Sequence, residues 1–161
     1  MFYALLAGFA ALAVILDQVS KYLVVTYIPY AADVSVWPGV FHLTHVHNTG
    51  MAFSMLEGGR WFFLIVTLAA LVLIVLTVKK KWLSHTLSHW SLAAVAGGAI
   101  GNLIDRVLHG YVVDMIEVDF MRFAVFNVAD CFVVCGGILL GISVLFLEDR
   151  PKEDAAHDSA D

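Results

Sequence analysis

Four apolar stretches, at roughly 2–28, 61–78, 83–104 and 125–147, are each close to the 20 or so helical residues that one crossing of a hydrocarbon layer requires. A chain of 161 residues has little left over, and no soluble fold hides four such runs behind a polar shell. Composition agrees: 61% of residues are hydrophobic, 14% are charged and the mean hydropathy is +0.86. One membrane-embedded unit over 1–161 is expected. No basic patch points to nucleic acid. The net charge of -5 carries little information, because several acids sit in the tail at 148–161, which lacks apolar periodicity and is expected to be disordered.

Ala4 to Leu16 could pass for a cleavable leader. It lacks a preceding cationic segment, however, and apolar character resumes after Lys21, so a retained helix is expected. Cys131 and Cys135 lie one helical turn apart in an apolar run, where a disulfide is awkward, and are expected as small, free core residues.

Orientation follows from Lys79, Lys80 and Lys81, a cationic run in a very short loop that the positive-inside rule places in the cytoplasm. Both termini are then cytoplasmic. The outer ends of the spans carry the polar interruptions: Asp17, Gln18, Ser20 and Lys21 in the first, Asn102, Asp105 and Arg106 in the third, Asn127 and Asp130 in the fourth. These groups are expected to converge at one depth, with Asn48 and Asp114 delivered to the same side by the two outer connections. The first connection, 29–60, has β-branched and aromatic residues with turn signals at Pro38-Gly39 and Gly58-Gly59, which predicts a small β-rich cap. The second, 107–124, mixes Val112, Val113, Met115, Ile116, Val118 and Phe120 with acids, which predicts a short interfacial helix.

An ionised carboxylate in or near hydrocarbon costs at least a few kcal/mol, so an acid retained there marks a functional site. Asp130 opens the fourth span with Asn127 three residues earlier, on the same helical face, where an amide can orient a carboxyl. The alternative is that the pair only caps the helix. Asp114, among Val112, Val113, Met115 and Ile116, offers a second carboxyl, although Asp119 or Asp105 could take its place by sequence alone. Two neighbouring carboxyls cannot both ionise cheaply, so one keeps a proton while the other activates a water. Such a dyad hydrolyses a peptide bond without metal or covalent intermediate. Asp17 with Lys21, and Asn102 with Arg106, are spaced i, i+4, and the first pair suits a buried ion pair. For Arg106 the alternative is extension toward headgroups. Gly97, Gly98 and Gly101 beside Ala94 and Ala99 permit close helix packing. His42, His45 and His47 match no zinc-site spacing and no acid or cysteine joins them locally, so no metal or other cofactor is expected.

Five blocks, in order, resemble the signature segments of lipoprotein signal peptidases. They are Asp17-Gln18-Val19-Ser20-Lys21, Asn48-Thr49-Gly50-Met51-Ala52-Phe53-Ser54, Gly97 through Arg106, Val112-Val113-Asp114 and Phe126-Asn127-Val128-Ala129-Asp130. The resemblance spans most of the chain and is most specific in its last three blocks. It implies Asp114 and Asp130 as the catalytic dyad, Asn102, Arg106 and Asn127 as its support, and Asp17, Lys21, Asn48, Gly98 and Ala129 in or around the pocket. It further implies a prolipoprotein substrate cut just before a diacylglyceryl-modified cysteine. The expected setting is a bacterial inner membrane whose lipids surround the chain, with the site placed toward the periplasm by the lysine run, and a monomer is expected. Two departures are Phe123-Ala124-Val125, where members commonly carry a Trp-Pro pair, and Met115 after the dyad acid. The expected class is an all-α polytopic membrane protein with four transmembrane helices, a β-rich periplasmic cap and a short interfacial helix.

Buried acids and a buried lysine also build proton or ion relays, but a relay needs polar residues through the full depth, and the second span and the cytoplasmic halves of the others offer few. A lipid-binding assembly subunit is a third possibility, distinguished by tolerance to loss of either dyad acid.

Overall fold

The computed structural model describes residues 1–50 and 59–148. The Met51 to Ser54 part of the second signature block, Gly58 and the acidic tail beyond Glu148 lie outside them. Four helices long and apolar enough to cross a membrane run α1 Phe2–Tyr27, α2 Arg60–Lys79, α3 Thr86–Leu108 and α4 Val128–Phe146. Three strands, β1 Asp33–Trp37, β2 Phe41–Asn48 and β3 Val112–Val118, form one antiparallel sheet in the order β1-β2-β3.

Helix α3 is the hub, packed against the other three helices. Its inward face is small by composition: Ser88, Ser91, Ala93, Ala94, Gly97, Gly98 and Gly101 are all buried. Without a hydrophobic drive between helices in lipid, close van der Waals approach is what holds them. At Gly97 a Cβ would fall 2.7 Å from the Ala13 methyl and 2.8 Å from the Ala10 carbonyl oxygen of α1. At Gly98 it would collide with the Ala129 carbonyl oxygen of α4. These two glycines set how near α1 and α4 approach, and hence how near their polar residues come to those of α3.

The far end of the bundle from the sheet is closed by Glu148, just past α4. Its carboxylate accepts from the Ser84 backbone N–H (2.8 Å), the His85 N–H (3.1 Å) and Ser88 Oγ (2.6 Å), with Ser143 Oγ a further 2.8 Å from Ser88 Oγ. A carboxylate here satisfies amides left unpaired at the start of α3 and lies at the positive end of its dipole.

The predicted turn at Pro38-Gly39 joins β1 to β2, with Gly39 in the left-handed region at φ 77°. The predicted interfacial helix at 107–124 is not there: the middle of that segment, Val112–Val118, is β3, hydrogen-bonded to β2 from Phe41↔Val118 to Asn48↔Val112. The valines and isoleucine are β-branched and suit a strand, and the β2 edge supplies the backbone partners. Val113 and Met115 pack with Val24 and Ile28 at the end of α1, so the sheet is seated on the end of the bundle. Met115, only 2% exposed, faces that cluster. The two cysteines are free as expected, but both are exposed on the outer face of α4 rather than buried in a core.

Candidate functional site

The polar interruptions of α1, α3 and α4 meet beneath the sheet. Lys21 is the cation at the centre: its Nζ lies 2.9 Å from Asp17 Oδ2, 2.9 Å from Asp105 Oδ2 and 2.9 Å from Asn102 Oδ1. Asp17 and Lys21 thus form the ion pair that their spacing predicted, and both are buried. Asp17 also accepts the Ala129 backbone N–H at 2.9 Å, satisfying an amide in the first turn of α4. Asp105 accepts from Gln18 Nε2 (3.0 Å) and from the Val113 N–H (3.1 Å), which fixes the backbone immediately before Asp114.

Lysine can only donate, so Asn102 must present its oxygen to Lys21 and its amide nitrogen to the other side. That nitrogen donates to Asp130 Oδ1 at 2.8 Å. Asn127 is fixed by the same logic. It caps α4 by accepting the Asp130 N–H at 3.0 Å, while the Asp130 carboxylate accepts the Asn127 N–H at 3.2 Å, a reciprocal capping box. Its Nδ2 is then left to donate to Asp114 Oδ1 (2.7 Å) and Asn102 Oδ1 (3.2 Å). An unbroken chain of amides, Asn127 and Asn102, therefore links Asp114 to Asp130. Asn48 Nδ2, from β2, holds the other Asp114 oxygen at 2.8 Å.

Asp114 is 3% exposed, and its surroundings favour the neutral form. Burial foremost, with the Asp130 charge adding to it, pushes its carboxyl up to about 6, against the hydrogen bonds from Asn48 and Asn127 and the charge of Lys21. Arg106 turns inward from α3: its guanidinium stacks 4.9 Å over the Phe63 ring of α2 and donates to the Gly50 carbonyl at 3.4 Å. Gly98 and Ala129 make the tight α3–α4 contact under this network.

Every predicted site residue is thus brought to one end of the bundle. The two acids that sequence left open in place of Asp114 have other partners: Asp105 is paired with Lys21, and Asp119 lies 2.6 Å from His42 Nδ1 on the sheet's outer side. Gln18, a further site residue to which motif spacing assigns no role, bridges Asp105 to the Gly101 carbonyl (3.2 Å). Its signal was its place in the polar break of α1. The three histidines do not form one cluster: His45 and His47 meet edge to face at 5.1 Å, with His45 Nδ1 bonded to the Ile28 carbonyl at 3.0 Å and His47 stacked on Tyr111 at 3.8 Å, whereas His42 pairs with Asp119.

Fold and site together define a multi-pass membrane protein with two amide-linked carboxyl groups, Asp114 buried and Asp130 half-buried, at a small β cap. Residues 9–146 match the family model described as Signal peptidase (SPase) II. The lipoprotein signal peptidase of Enterococcus faecalis is 44% identical over 144 residues, covering 89% of each chain, and that of Caldanaerobacter subterraneus subsp. tengcongensis is 44% identical over 136 residues, covering 84% of this chain and 92% of its own. Two solved structures, described as a bacterial membrane enzyme by the in meso method, superpose with TM-scores of 0.84 and 0.82. Each is 33% identical, and they cover 88% and 89% of this chain and 88% and 94% of their own. The chain belongs to the signal peptidase II family and is a multi-pass bacterial membrane peptidase.

Proposed function

We propose that this chain removes signal peptides from prolipoproteins as an aspartic endopeptidase, cutting on the N-terminal side of a diacylglyceryl-modified cysteine with Asp114 and Asp130 as the dyad. The observation that carries the catalytic assignment is the amide chain Asp114–Asn127–Asn102–Asp130, which holds two carboxyls of unlike surroundings beside one another. With a water between them, the ionised member takes the water proton while the protonated member donates to the scissile carbonyl oxygen. The pair thereby generates nucleophile and electrophile in one step and ends with its proton exchanged between the two oxygens. Asn48, Asn102 and Asn127 orient the carboxyls, Lys21 fixes the direction of the amide chain, and Arg106 stands between the network and Phe63 of α2. Membrane lipid surrounds a monomer, with the whole of 1–161 forming one peptidase unit.

The site faces the periplasm in this reading. Supporting it, the Lys79 to Lys81 run closes α2 at the end of the bundle away from the sheet. Ion conduction is not favoured: between this site and the Ser88–Ser143–Glu148 cluster the hub helix buries Leu92, Ala93 and Ala94, and Gly97 is closed against Ala13 of α1. The test is incubation of purified protein with a diacylglyceryl-modified precursor, with mass analysis of the products. A new amino-terminus at the lipid-modified cysteine is expected. Cleavage elsewhere, or equal cleavage of an unlipidated precursor, refutes the assignment.

A further inference from the structure

On the outer side of the sheet, the strands bring together groups that are far apart in sequence. Asp33 on β1, His42 on β2 and Glu117 on β3 each offer one ligand atom, and these atoms lie within 4.8 Å of one another. His42 sits directly opposite Glu117 in the ladder, and Asp33 is two residues along from its other partner, Ser35. His42 Nε2 is 3.2 Å from Glu117 Oε2 and 3.7 Å from Asp33 Oδ1. Ligands about 2.0–2.1 Å from a tetrahedral zinc ion lie about 3.4 Å from each other, which brackets the cation position among these three.

The second observation is the other ring nitrogen. His42 Nδ1 is 2.6 Å from Asp119 Oδ1. A neutral imidazole has one N–H, and Asp119 takes it, so the Nε2 lone pair is left facing two carboxylate oxygens. That arrangement requires a positive charge between them, either a second proton on the ring, which the surrounding acids favour, or a metal ion in that proton's place. It is also the form in which metal-bound histidines are held, one nitrogen on the ion and the other donating to a carboxylate. Arg122 borders the same open hollow but makes no ion pair with these acids among the described residues.

We propose that Asp33, His42 and Glu117 form a binding site for a divalent cation of the zinc type, with Asp119 orienting His42 and water completing the coordination. One nitrogen and two oxygen donors suit zinc and its first-row neighbours better than calcium, which takes six to eight oxygens. With one ligand from each strand, the ion staples the fully exposed edge strand β1 to β3. Side chains alternate along a strand, so Glu117 and Asp114 project from opposite faces of β3, and the ion stabilises the cap without entering the peptidase chemistry.

The test is zinc titration of chelator-treated, full-length protein in detergent by calorimetry, with cobalt absorption as a coordination probe and the thermal midpoint as a second readout. One ion per chain and a raised midpoint are expected. His42→Ala and the near-isosteric Glu117→Gln should each weaken binding at least tenfold, and Asp119→Asn about ten- to a hundredfold through the histidine. His47→Ala should bind as the wild type does. Absence of stoichiometric binding, unchanged affinity in both His42→Ala and Glu117→Gln, or calcium binding as tightly as zinc overturns the proposal.

Discussion

Asp114→Asn separates what the carboxyl does in turnover from what its burial does to the fold. The side chain keeps its size, and the amide stands in for the protonated acid: in either neutral form one of the two donors, Asn48 Nδ2 or Asn127 Nδ2, loses a full acceptor. The two proteins therefore differ mainly in whether the buried group can ionise. The carboxyl rises from an ordinary 3.8 to about 6 in the fold, which at about 1.4 kcal/mol per unit amounts to roughly 3 kcal/mol. Because the folded value lies above the unfolded one, this stability is present in full below pH 3.8 and is lost as pH rises through 6. The variant escapes that loss. Its stability relative to the wild type should be small at pH 4 and approach about 3 kcal/mol in its favour by pH 8, while cleavage is abolished. Unfolding in detergent at pH 4, 6 and 8, with initial rates on a lipidated precursor, measures both. A difference that is flat with pH, or a variant less stable than the wild type at pH 8, would refute the claim that the fold desolvates this carboxyl. Near-normal turnover would remove Asp114 from the dyad.

Asp130→Asn should likewise abolish turnover, and the double variant should be hardly worse than either single one if the acids act as a unit; Asp119→Asn should keep substantial activity in the same rate assay. Lys21→Met leaves Asp17 and Asp105 buried against no cation and should destabilise the protein by about 3–5 kcal/mol, seen as a lowered midpoint in detergent. Chelators should leave the initial cleavage rate unchanged, and loss of cleavage restored by zinc would contradict a metal-free dyad. A cysteine beside Lys80 should resist an impermeant thiol reagent applied from outside, whereas cysteines in 29–60 should react; the reverse pattern inverts the topology.

The sequence by itself determined the spans, because an apolar run near 20 residues has few fates other than a helix across lipid, and it determined which positions matter, because acids and amides at such ends are costly without partners. Local helical geometry was equally legible: the Asp17–Lys21 pair and the Asn127–Asp130 cap follow from i, i+4 and i, i+3 spacing alone. Which acid stands beside Asn127 was not legible. Asp105, Asp114 and Asp119 all offer a carboxyl in the same stretch, and only packing assigns the first to Lys21 and the last to His42. The 107–124 segment was misread as a helix for the same reason, since a strand is stabilised by a neighbour's backbone that sequence does not display, and here that neighbour is β2, some 70 residues earlier. The acids around His42 also come from other strands, so the tertiary register alone decided their meeting, as it decided which carboxyls lie under the sheet and which on its outer face.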